Sequence, residues 1–218
     1  VLLSVFWRDV VRRRLGWPAG AIAARMHSTG ATLGFEAPTA CLLAATEVNE
    51  WAWLGAIEVP RPWPSPHGPA QAVHDAAASL PLLRHLASAE PPPHFSELLA
   101  AARARGVPTY WDDTAFTIGG GRWSRSWPLE ALPPVDAVEW DTLRGVPMAL
   151  VSGSNGKTTT VRLLAAMCAA HGWHAGYSST DGVRADGAAL EDGDWAGPAG
   201  ARVALRDARV EAAVLETA

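Results

Sequence analysis

The chain has 218 residues, 49% of them hydrophobic and 18% charged, with a formal net charge of -4. That is enough length for one to two domains and enough apolar content for packed cores, which excludes wholesale disorder. The acidic balance argues against a general nucleic-acid or acidic-membrane binder, which carries a basic surplus.

In chain order, the opening "VLLSVFWRDVVRRRLGW" places its charges after a short apolar run, the reverse of a secretory signal. Arg12 to Arg14 read as a solvated helix face. No stretch approaches the roughly 20 apolar residues of a membrane helix. Cys41 and Cys168 lie far apart with no metal-like spacing, which fits a reducing, cytoplasmic compartment. The tryptophans of "ATEVNEWAW" read as packing groups. The run "PRPWPSPHGP" (60–69) reads as an extended linker or surface loop, because each proline removes a donor and biases its predecessor away from helix. Residues 70–80 and 94–106 read as helices, the second stopping at Gly106. "VPTYWDDTAFTIGGG" predicts two strands joined by a turn at Asp112–Asp113, whose adjacency disfavours an acid/base pair. "WPLEALPPVDAVEW" reads as a connector.

After Val146 the pattern changes. "PMALVSG" reads as a buried strand and "GKTTTVRLLAAMCAAHG" as a helix with Val161, Leu164 and Cys168 on one face, Cys168 in the core, and Gly172 just past the end. His171 and His174 flank that helix end, where histidine is favourable without a catalytic task. "WHAGYSST" reads as a strand, "GPAGARVALRDA" as a helix with Pro198 near its start, and "VEAAVLETA" as a closing strand, although its composition also suits a helix. Strand-helix-strand-helix-strand predicts a P-loop-type parallel sheet with crossover helices over residues 146–218. A smaller Trp/Pro-rich α+β domain is expected over 1–145.

The turn between the first of these strands and its helix carries the chemistry. Gly153 and Gly156 let the backbone bend so that several N–H groups point inward, and the helix beginning there adds its positive end. Gly153, Ser154, Asn155, Gly156, Lys157, Thr158 and Thr159 therefore read as an ATP-binding loop. Lys157 offers a full charge to the outer phosphates, and Thr158 a hydroxyl to a bridging Mg2+. Val151 occupies the position where the common phosphate-loop pattern has its first glycine. Glu216, after the apolar run Ala212–Leu215, falls at the sheet edge where open α/β sheets bind ligands, if the run is a strand. Ser179, Thr180 and Asp181 fall on the same edge, as site residues or as an ordinary turn.

"SGSNGKTTT" closely resembles the loop of the Mur ligase family, in which the position of Val151 is commonly apolar. "YSSTDGV" (177–183), "GDWAGPAGARVALRD" (193–207) and "VEAAVLETA" are similar to segments of its cyanophycin-synthetase-like branch, and "FEAPTACLLAATEVNEWAW" (35–53) resembles an N-terminal segment there more weakly. The resemblance implies an ATP-dependent ligase that joins an amino-acid or peptide-like carboxylate to an amine through an acyl phosphate. It gives Lys157 a catalytic role in offsetting charge on the moving phosphoryl group, and gives Thr158 and Glu216 roles as Mg2+ ligands.

The resemblance also has departures. About 145 residues precede the loop, too few for both an N-terminal part and an ATP-grasp domain, so a single-site ligase fits better than a polymerase adding two amino acids in turn. Family members continue beyond the position of Ala218, so the chain is expected to be a fragment that binds ATP without ligase activity of its own. Alternatives are a P-loop phosphotransferase or NTPase, and a non-catalytic nucleotide-binding module whose Trp-rich part faces a partner.

Overall fold

The computed structural model describes residues 14–17, 21–57 and 76–217. The expectations for the opening apolar run, for Arg12 and Arg13, for the proline-rich stretch 60–69 and for helix over 70–75 lie outside the described residues. The chain divides into two compact units, Val1–Pro92 and Pro93–Ala218. The boundary expected between residues 145 and 146 therefore falls inside the second unit.

In the first unit, β1 (Ile22–His27) and β2 (Gly30–Phe35) form an antiparallel hairpin in which His27 stands opposite Gly30. Two helices follow, α1 (Leu42–Ile57) and α2 (Ala76–Ala89). Trp17, Cys41, Ala44, Val48, Trp51, Ala52 and Leu83 bury together, which gives Trp51 the packing role expected of it. Helix α2 does not stop at residue 80 but runs through Pro81. The ring removes one backbone donor, but burial of Leu83 and packing of Leu86 beyond it hold the helix on. Glu90 caps α1: its carboxylate accepts the Leu43 and Ala44 N–H groups at 2.7 and 2.8 Å, two of the donors that a helix start leaves unpaired.

The second unit opens with α3 (Phe95–Ala104), which ends where the sequence indicates: Gly106 takes φ +66° and donates to Arg103 O. A three-stranded antiparallel sheet follows, β3 (Thr109–Trp111), β4 (Ala115–Ile118) and β5 (Arg125–Pro128). Phe95 packs its ring edge-on against Trp111 and Phe116. The expected connector from residue 127 onward carries a series of short 3-10 turns, although its first two residues belong to β5.

The remaining elements are β6 (Met148–Val151), α4 (Lys157–Ala170), β7 (Ala175–Ser179), β8 (Gly182–Ala185), β9 (Ala188–Asp192), α5 (Pro198–Arg206) and β10 (Ala212–Glu216). They build one sheet in the order β6-β10-β7-β8-β9. The fold is α/β, and β6, β10 and β7 pair in parallel as expected. The sheet is nevertheless mixed, because β8 and β9 extend it antiparallel. Asp186 and Gly187, both at positive φ, make a two-residue turn between them, an Asp-Gly hairpin signal that the parallel reading overlooked.

Side chains alternate across β10. Ala213 and Leu215 bury with Ala204 and Leu205 of α5, so Ala212, Val214 and Glu216 face the other side, where α4 lies. On α4 the buried pair is Val161 and Ala165; Cys168, expected in the core, is half-buried. β6 is a correction too. The apolar run predicts a buried strand, yet Leu150 is 66% exposed, because among the described residues β6 is the sheet edge and pairs with β10 alone.

Within this unit, residues 93–145 are tied to the five-stranded sheet and its helices by polar contacts. Arg206 of α5 donates to Thr117 Oγ1 (2.9 Å), to Ala115 O (3.1 Å) and to Asp112. Arg122 N–H donates to Val210 O at 2.8 Å. Gly121 lets that approach happen: at φ +55°, a side chain there would meet Val210 O.

Candidate functional site

The loop after β6 is shaped by its glycines. Gly153 (φ +148°) and Gly156 (φ +74°) turn the chain, and Gly156 precedes the first turn of α4. The Thr160 N–H is the first to find a carbonyl, Gly156 O at 2.9 Å. The N–H groups from Ser154 to Thr159 have no acceptor among the described residues, and residues 152–156 are exposed. A run of free donors at a helix start, on an exposed loop, has the geometry and polarity that suit an anion. Lys157 Nζ folds over the loop and donates to Gly153 O at 2.9 Å.

One turn into the sheet lies a second group. Glu216, the last residue of β10, is 1% exposed. Its Oε2 accepts the Thr158 hydroxyl at 3.0 Å and the Thr180 N–H at 3.4 Å. Thr158 Oγ1 also lies 2.9 Å from Thr180 Oγ1. Because the Thr158 hydroxyl has one proton and gives it to Glu216, Thr180 is the donor in that second contact. Oε1 takes no hydrogen bond, and no basic side chain pairs with Glu216, among the described residues. The end of β10 is fixed from both sides: Thr217 N–H donates to Val151 O, and Gly197 N–H to Glu216 O, each at 2.9 Å.

These positions can be compared with those singled out in the sequence. Gly153, Ser154, Asn155 and Gly156 form the loop; Lys157, Thr158 and Thr159 form the first turn of α4. Thr158 and Glu216, 58 residues apart, are in direct contact. Thr159 is exposed and takes no part in the hydrogen bonds among Thr158, Thr180 and Glu216. Ser179, Thr180 and Asp181 separate. Ser179 is buried and its Oγ accepts the Asp181 N–H at 3.2 Å, an internal turn contact. Thr180 joins the Thr158–Glu216 pair, and Asp181 pairs with Arg162 at 2.7 Å. Arg162 was not singled out; its spacing of four residues from Thr158, one turn along the same helix face, was the signal.

Asp112 is the expected turn residue. Its Oδ1 accepts from Thr114 N–H, Thr114 Oγ1 and Ala115 N–H. Burial alone would raise its pKa, but the hydrogen bonds from Thr114, Arg206 and Ala115 outweigh it and hold the carboxyl well below the usual range. His174 carries a raised pKa from its contact with Asp186 at 2.9 Å, far along β7 from the loop.

Among the described residues, no cluster of three or more His, Cys, Asp and Glu could hold a metal ion. Mg2+ does not need one, since it is commonly held by one or two carboxylates together with phosphates and water. A buried carboxyl with one open oxygen, beside a hydroxyl and a phosphate-type loop, fits that requirement.

Among the described residues, no helix is long and apolar enough to cross a membrane. No family model matches the chain. A stretch of 73 residues, 34% of the chain, is 51% identical to the cyanophycin synthetase of Synechocystis sp. (strain ATCC 27184 / PCC 6803 / Kazusa) and likewise to that of Geminocystis herdmanii (strain PCC 6308). It is 49% identical to that of Trichormus variabilis (strain ATCC 29413 / PCC 7937). The match spans 8% of the length of each relative. The chain is thus similar to a short part of these much longer proteins.

Proposed function

We propose that this chain contributes the nucleotide-binding part of an ATP-dependent carboxylate–amine ligase of the Mur type. The observation that carries the reading is the Thr158–Glu216 contact at the foot of a glycine loop, which joins a phosphate cradle to a buried carboxyl. Similarity to the synthetases supports the ligase class.

In this reading the free N–H groups of Ser154–Thr159 bind and orient the β- and γ-phosphates. Lys157 exchanges its contact with Gly153 O for the outer phosphate oxygens and offsets charge during transfer. Thr158 and Glu216 would hold Mg2+. The nucleotide supplies the phosphoryl group that makes a substrate carboxylate an acyl phosphate, which an amine attacks to give the amide, ADP and phosphate.

Lys157 is the sole lysine of the chain, which makes the test clean. Titration with ATP and Mg2+ should give binding in the native protein and about 10- to 100-fold weaker binding in Lys157→Ala, the range for a charged hydrogen-bond donor. An amine-reactive ATP analogue should modify Lys157, with protection by ATP. Equal affinity in the two proteins, with no ATP protection, would remove the assignment.

A further inference from the structure

The geometry points to Arg162 as a positioning residue for the metal end of this site, acting through Asp181 on Thr180; the inference rests on the nucleotide reading above. Arg162 and Thr158 lie four residues apart on one face of α4. Both side chains reach the same turn between β7 and β8: Thr158 Oγ1 lies 2.9 Å from Thr180 Oγ1, and Arg162 Nη2 lies 2.7 Å from Asp181 Oδ2. The turn is also held by the Thr180 N–H donating to Glu216 Oε2 at 3.4 Å.

These ties differ in what a cation does to them. The Thr158 lone pair that accepts from Thr180 is the one Mg2+ would take, and the Glu216 carboxyl that receives the Thr180 N–H would turn its charge toward the ion. The Arg162–Asp181 pair shares no atom with the proposed metal site. It therefore remains when the other two loosen, and holds the turn that carries Thr180 against α4 as the hydroxyl of Thr158 is drawn away. Both partners are about half exposed, with side-chain exposures of 60% and 48%, so the tie is modest and acts by orientation.

The test uses the full chain and two readouts that general stability would not move selectively. In Arg162→Ala and in Asp181→Ala, the gain in ATP affinity on adding Mg2+ should fall about two- to five-fold, while affinity in EDTA stays unchanged. The double variant should lose no more than either single one, and Arg162→Lys should recover most of the loss. In the ligand-free protein, the Thr180 amide should exchange with deuterium faster in Arg162→Ala than in the native chain. An unchanged Mg2+ gain in Arg162→Ala, losses that multiply in the double variant, or unaltered Thr180 exchange would overturn the inference. Failure of the native chain to bind ATP would instead overturn the nucleotide reading on which it rests.

Discussion

Asp112 and Glu216 are carboxylates of the same compact unit in opposite circumstances. Asp112 is more exposed, yet its two oxygens collect Thr114, Ala115 and the Arg206 guanidinium. Glu216 is nearly sealed from solvent, yet receives one hydroxyl and one distant N–H, with no basic partner among the described residues. Burial without a counter-charge is costly, and folds normally relieve it as Asp112 is relieved. On the proposed nucleotide reading, the difference teaches where stability and function separate: one carboxylate ties α5 to the small sheet, while the other is held incomplete beside the glycine loop.

The largest effect should come from removing the nearer of the two basic partners of Asp112, Arg206 rather than Arg202. Arg206→Ala strips three donors from Asp112, Thr117 and Ala115 and should lower unfolding free energy by about 2–3 kcal/mol, as measured by urea denaturation. A loss under about 0.5 kcal/mol would mean that the Asp112 network is not a structural tie.

Glu216→Gln sharpens the contrast from the other side. The amide can still accept the Thr158 hydroxyl, so stability of the ligand-free protein should be unchanged or raised by up to about 1 kcal/mol. A marked destabilisation would make Glu216 a second structural carboxylate.

Acid titration tests the Asp112 network directly. Asp112 has a depressed pKa when folded, so it contributes stability above the ordinary aspartate value near 4 and that contribution is lost as pH falls below it. Asp112→Asn should therefore be less stable than the native chain at neutral pH, and the gap should close as pH drops below about 4. A gap that persisted in strong acid would assign the effect to geometry rather than charge.

The smallest effect should come from exposed His174. Its raised pKa means that its contact with Asp186 stabilises below about pH 6.5 and fades as pH rises through the folded value. Asp186→Asn should be slightly less stable than the native chain at pH 6 and match it at pH 9, by thermal melting; a difference at pH 9 alone would reverse the sign.

Much of this was legible because local rules fix it. Gly106 and Gly172 end their helices, Pro198 begins α5, and the glycine loop lies between a strand and a helix, all within a few residues of the signal. The apolar run before Glu216, ambiguous by propensity, became a strand because the sheet buries it on both faces. What escaped depended on partners distant in sequence. The attachment of residues 93–145 to the sheet unit rests on Arg206 reaching Asp112 across 94 positions. The exposure of β6 depends on what lies beside it, which an apolar string does not state. Thr180 was placed on the right edge by the sequence, with turn or site left open, whereas Arg162 gained its place only when β7 and α4 came together.

The most direct measurement is calorimetric titration of ATP into native protein and Glu216→Gln, each with Mg2+ and with EDTA. The account predicts that Mg2+ tightens binding at least about ten-fold in the native chain and that this gain disappears in the variant, while the weaker EDTA affinity is common to both. An identical Mg2+ gain in the two proteins, or no binding to either, would contradict it.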